Sequence, residues 1–125
     1  TIQKLSIIIP AYNEARTIHF ILDKVRDVEL IKGIQKEVII VNDCSSDNTE
    51  EVVKKYASEN PTMGIQFYNQ PKNMGKGAAL HRGIKEATGE YLIIQDADLE
   101  YEPVEILKFI KKVILFDEVE NLNVK

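Results

Sequence analysis

The sequence predicts an α/β fold, a mainly parallel sheet covered by helices on both faces. Three observations carry that prediction. Strand-like and helix-like segments alternate along the 125 residues in the order β-α-β-α-β-α-β-α. The first, second and fourth strand-like segments are near-continuous apolar runs, the pattern of strands covered on both faces. Each of the four also runs into a polar stretch, "PAYNE", "NDCSSD", "NQPKNMGKG" and "DADLE". Ligands of open α/β sheets bind beyond the carboxyl ends of the strands, so four polar stretches at one sheet edge predict a site.

Each element has its own signature. "KLSIIIP" is a short β-branched run ended by Pro10. In "NEARTIHFILDKVRDV", Ile18, Ile21, Leu22 and Val25 recur at helical spacing. Gly33 and Ile34 fall in the link to "EVIIV", the second strand. Asp47 is placed as an N-cap with Glu50 completing a capping box. Val52, Val53, Tyr56 and Ala57 form the apolar face of that helix, and Asn60-Pro61 stops it. "IQFYN" is the third strand and "QPKNMGKG" a polar loop. "AALHRGIKEATG" is a helix with Gly89 expected at its C′ position. "YLIIQ" reads as a buried fourth strand. "PVEILKFIKKVILF" is a last helix with Pro103 near its first turn, and "NLNVK" has the look of a fifth strand just starting.

Composition narrows the function classes. With 44% apolar and 29% charged residues the chain can bury a core, which excludes wholesale disorder. One domain over residues 1–125 is expected. Lys and Arg number 16 against 20 Asp and Glu, a net charge of −4 without a basic cluster, which disfavours nucleic-acid binding. The one cysteine, Cys44, has no internal disulfide partner, so a reducing, cytoplasmic compartment is expected. No apolar run approaches the roughly 18 residues of a membrane span, and no signal peptide opens the chain.

The chemistry concentrates in three places. In "DADLEYEP", Asp96, Asp98 and Glu100 put three carboxylates close together directly after an apolar strand. Such a cluster repels itself unless something positive sits among it. A polar turn with helix capping would use the same residues. The position at a strand end favours a hard divalent cation, which takes carboxylate and phosphate oxygens. In "NDCSSD", Asp43 stands at the strand end, where an acceptor can read a base or ribose. "NMGKGAAL" lacks the P-loop pattern, with Ala78 where a hydroxyl is needed, yet Lys76 between Gly75 and Gly77 can reach an anion at a helix start. No G-x-G-x-x-G follows the first strand. His19 and His81 have no metal-ligand spacing.

Together "SIIIPAYNEA", "VIIVNDCSSDNTEE" and "NMGKGAALHRGIKEATGEYLIIQDADLEYEP" resemble the family 2 glycosyltransferases of GT-A fold. The resemblance covers nearly the whole chain and is closest to the polyprenyl-phosphate branch. It implies a Rossmann-like GT-A nucleotide-binding half that stops before the acceptor half. It implies that Pro10, Ala11, Tyr12 and Glu14 line a nucleotide pocket, that Asp43 contacts the base, and that Lys76 lies near the nucleotide. Asp96 would face the ribose and metal region, Ala97 would belong to the nucleotide site, and Asp96, Asp98 and Glu100 would hold Mg²⁺ or Mn²⁺. The implied activity is inverting transfer of a sugar from a UDP- or GDP-linked donor to a polyprenyl phosphate or glycan, in cell-envelope glycan synthesis. The implied place is the cytoplasmic face of a membrane, with the catalytic base and any membrane segments beyond Lys125. Asn42 and Cys44 depart from the family's frequent Asp and Gly. An open sheet edge would allow self-association. A nucleotidyltransferase would need a basic Gly-rich loop after the first strand, and a D-x-D phosphatase would carry its motif there. A non-catalytic nucleotide-binding module stays open.

Overall fold

A computed structural model describes residues 4–28 and 33–97. Four parallel strands, β1 (Lys4–Ala11), β2 (Gln35–Asn42), β3 (Ile65–Asn69) and β4 (Tyr91–Ile94), form one sheet in the order β3-β2-β1-β4. Helices α1 (Ile18–Asp27), α2 (Thr49–Glu59) and α3 (Lys76–Glu86) connect them, with a short 3-10 turn at Pro61–Met63 after α2. The α/β architecture with helices on both faces is as expected. The last helix, the segment "NLNVK", Asp98 and Glu100 lie outside the described residues. Among the described residues no helix is long and apolar enough to cross a membrane.

Alternation along the strands sorts the core into two layers. Leu5, Ile7, Ile9, Val38 and Ile40 share one face with Ile18, Ile21, Leu22 and Val25 of α1 and Val53 of α2. These are the four positions of α1 that helical spacing marks. Ile39 and Val41 face the other way and pack with Ala79 of α3. β1 and β2 are central and covered on both sides, so their runs are apolar throughout. Pro10 stands inside β1 and costs no bond to β2. It has the parity of Ile8, whose carbonyl accepts from Gln95 N–H on the β4 side, and that ladder ends at Ile94.

Four details differ from expectation. First, Gly89 is not the C′ residue of α3, because the chain leaves the helix at Ala87 in an extended conformation. A Cβ on Gly89 would stand 2.8 Å from the Lys4 carbonyl oxygen and 2.9 Å from the Ser6 nitrogen, so glycine serves close backbone approach. Second, the capping box is not made. Asp47 accepts from Thr49 N–H at 3.0 Å and Ala15 N–H at 3.3 Å, while Glu50 binds Lys54 and Asn69. Third, α3 begins at Lys76, earlier than its apolar pattern, because Asp43 secures the loop before it. Fourth, β4 is not buried among the described residues: Leu92 is 42% and Ile94 48% exposed. Among the described residues β4 stands at the edge of the sheet, and an apolar run does not distinguish a central strand from an edge strand.

A buried carboxylate ties the α3–β4 link to the sheet. Glu37, 5% exposed, accepts from the Ser6 hydroxyl, the Thr88 N–H and hydroxyl and Gln66, with Lys4 at 3.6 Å. Burial pushes its carboxyl up, but the Thr88 and Ser6 bonds and Lys4 outweigh that and hold it below its ordinary value. A carboxylate depressed in the folded state stabilises it at pH values above the unfolded pKa, and that contribution is lost as pH falls through the folded pKa. Glu37→Gln should therefore cost about 1–3 kcal/mol at neutral pH. It should also flatten the decline of the melting temperature below about pH 4, near where an unfolded glutamate titrates. Thermal unfolding from pH 7 to pH 3 checks both, and an unchanged acid limb in the variant would exclude this role.

Candidate active site

Loops after β1, β2 and β3 and the residues after β4 meet above the carboxyl end of the sheet. There they enclose a cavity of about 340 Å³. Its wall contains Pro10, Ala11, Tyr12, Glu14, Asp43, Lys76, Asp96 and Ala97, each of them marked in the sequence. Asn73, Gly75 and Ala79 complete it. Asn73 belongs to a polar loop whose composition signals a loop without saying which residue turns inward. The strand order changes direction between β1 and β4, the place where open α/β sheets leave a crevice.

The loops of the wall are laced together by hydrogen bonds. Asn13 adopts a left-handed φ of 53°, and its side-chain oxygen accepts from Ser46 N–H at 2.8 Å and Asp47 N–H at 3.3 Å. Its own N–H donates to Ser45 Oγ at 2.9 Å, and Glu14 N–H donates to Thr49 Oγ1 at 3.0 Å. Burial raises the Asp47 carboxyl, but bonds from the Thr49 hydroxyl, the Thr49 amide and the Ala15 amide hold it below the usual range. Asp47 is thus an ionised clamp between the first two loops rather than a free cap.

Asp43 is the second clamp. It is 5% exposed, and its two oxygens accept Met74 N–H at 2.8 Å and Gly75 N–H at 3.0 Å. Gly75 needs the positive φ of 92° with which it precedes α3. Each Asp43 oxygen retains a second lone pair, so the clamp leaves acceptor capacity for a ligand. Beside it, Cys44 holds a φ of 60°, a conformation that costs a non-glycine residue about 1–2 kcal/mol. Stability should follow the order Gly at least equal to Cys, then Val, at position 44. Cys44→Gly should gain up to about 1 kcal/mol after its extra unfolded-state freedom is subtracted. Urea unfolding of Cys44→Gly and Cys44→Val tests this, and a more stable valine variant would refute it.

Asp96 has a positive neighbour. The ammonium of Lys76, the first residue of α3, contacts Asp96 Oδ1 directly across the cavity mouth. Among the described residues no three His, Cys, Asp or Glu side chains converge as a metal site. Asp98 and Glu100 lie outside them. His19 on α1 and His81 on α3 do not line the cavity.

Comparison with known proteins agrees with this architecture. The model of the family described as glycosyl transferase family 2 matches residues 6–116. A dolichyl-phosphate beta-glucosyltransferase of Trichomonas vaginalis is 43% identical over 99 residues, covering 75% of this chain and 30% of the relative. A dolichol-phosphate mannosyltransferase of Pyrococcus furiosus is 32% identical over 110 residues, covering 88% of this chain and 30% of the relative. The chain therefore spans under a third of the length of these relatives. Among solved structures, a mannosyltransferase from Pyrobaculum calidifontis in complex with GDP-Man and Mn²⁺ superposes with a TM-score of 0.72 at 31% identity. The match covers 78% of this chain and 28% of that one. S. aureus TarS in complex with UDP-GlcNAc superposes with a TM-score of 0.68 at 29% identity, over 76% and 26% of the two chains. By its sequence the chain belongs to glycosyl transferase family 2, and the superpositions give it a GT-A fold.

Proposed function

We propose that this chain is the donor-binding part of an inverting glycosyltransferase that moves a sugar from a nucleoside-diphosphate sugar to a polyprenyl phosphate. The observation that carries the reading is the cavity at the carboxyl ends of the strands, with Asp43, Lys76 and Asp96 in its wall. The named activities of the two curated relatives support the polyprenyl-phosphate acceptor. An exposed free thiol at Cys44 suits a reducing compartment and hence work at the cytoplasmic face of a membrane.

The residues divide the donor between them. Asp43 accepts from the base with its remaining lone pairs. Tyr12, 46% exposed, offers a ring face at the rim. The N-terminus of α3, with Gly75 and Lys76, draws the diphosphate by its amides and its positive end. Asp96, 24% exposed and already beside a cation, suits a hard divalent ion, and Asp98 and Glu100 would complete the set. Bound Mg²⁺ or Mn²⁺ supplies Lewis-acid stabilisation of charge on the departing nucleoside diphosphate. An oxygen of the acceptor phosphate, ionised at neutral pH, attacks the anomeric carbon. The bond from that carbon to the donor's diphosphate oxygen breaks on the opposite side, which inverts the configuration.

Calorimetric titration with UDP and with GDP, in Mn²⁺ and again in EDTA, tests the donor site. Metal-dependent binding of one nucleotide is expected, and Asp98→Asn should remove the metal dependence. Failure of both nucleotides to bind the folded full-length protein would overturn the reading.

A further inference from the structure

We propose that Lys76 is a resident counter-cation, neutralising Asp96 until a donor arrives and then turning to the donor's diphosphate as Asp96 turns to the metal. The inference rests on the donor-site reading above and adds an exchange of partners within it.

Two independent observations lead there. One is the direct contact of the Lys76 ammonium with Asp96 Oδ1. The other is where Lys76 stands. It is the first residue of α3, which has no acidic residue in its first turn and no side-chain cap. A cation at the positive end of a helix is unfavourable unless an anion accompanies it. Asp96 supplies that anion from beyond β4. The pair is also separable: Lys76 is 58% and Asp96 24% exposed, and ion pairs so open to water are weak. A divalent cation bound at Asp96 would repel an ammonium held on the same oxygen, so the two cations compete for the carboxylate. A diphosphate between them resolves the competition. It gives Lys76 a second anion at the helix end and lets Asp96 bind metal.

This exchange makes Lys76 act in opposite directions on the two ligands, which a structural role would not do. The test uses the full chain, with Mn²⁺ alone followed by the electron paramagnetic resonance of the free ion and nucleoside diphosphate in Mn²⁺ followed by calorimetry. Lys76→Met should bind Mn²⁺ alone about three- to tenfold more tightly than the parent, because the competing cation is gone. Its affinity for the nucleoside diphosphate should fall about tenfold, because a charge-assisted bond to phosphate is lost. Lys76→Arg keeps the charge and should restore both affinities towards the parent values. Unchanged circular dichroism shows that the variants fold. If the parent binds nucleotide and Lys76→Met does not tighten Mn²⁺ binding, the exchange is overturned and the donor site stands. If the parent binds no nucleotide, the donor-site reading falls and the exchange with it.

Discussion

Asp43→Ala should release the loop before α3 and lower nucleoside-diphosphate affinity by about a hundredfold. The buried Asp43 carboxylate accepts Met74 N–H and Gly75 N–H, and among the described residues no other side chain accepts from those two amides. Hydrogen bonds to a charged group contribute about 1.5–3 kcal/mol each, and alanine removes two of them together. The loop carries Asn73, Gly75 and Lys76 into the cavity wall, so its release moves three lining residues and not one. The proposed acceptor for the base is lost in the same step. Asp43→Asn retains one acceptor oxygen and should fall between alanine and the parent. Two measurements separate the effects. Amide exchange at Met74 and Gly75 should accelerate in Asp43→Ala without any ligand, which reports the clamp alone. Calorimetry with the nucleotide reports clamp and base contact together. Protected amides in the alanine variant would show that the loop holds itself and that Asp43 acts on ligand only.

Local signals made much of this legible, and long-range ones did not. The apolar spacing of α1 marks the four side chains that the structure buries, because a helix periodicity is a local property of the chain. The bounds of β3 and the stop of α2 at Asn60-Pro61 follow from equally local chemistry. The cavity wall was legible because parallel strands deliver all their carboxyl ends to one edge. The clamps were not. Asp47 and Glu50 have capping-box spacing, but Ala15 and Thr49 claim the first, and Lys54 and Asn69 the second. No spacing rule reveals that Asp43 holds the amides of Met74 and Gly75, or that Lys76 meets Asp96. Those contacts exist only once the order β3-β2-β1-β4 brings the strand ends together. Exposure of β4 among the described residues has the same cause, since its place at the end of their strand order is a property of the sheet and not of the strand.

Gly83→Ala should destabilise the chain by about 1–3 kcal/mol, against the sign that helix propensity predicts. Gly83 lies in the interior of α3, where alanine is ordinarily favoured over glycine by about 1 kcal/mol. Here the helix packs its backbone onto β1. A Cβ on Gly83 would stand 2.4 Å from Cγ2 of Ile8, well inside van der Waals contact. Ile8 is fully buried in a central strand, with β2 and β4 on either side, so its branched side chain has little freedom to yield. The helix must lift instead, and its lift would carry Gly75, Lys76 and Ala79 away from the cavity. The background at position 8 distinguishes this cause from any other. Ile8→Val keeps the offending methyl, so Gly83→Ala should cost as much there as in the parent. Ile8→Ala removes the methyl and by itself costs about 2–5 kcal/mol. In that background Gly83→Ala should become neutral or stabilising, because only the helix preference remains. Urea unfolding of the three pairs measures the coupling. Equal costs of Gly83→Ala in all three would place the cause elsewhere than in the contact between α3 and Ile8.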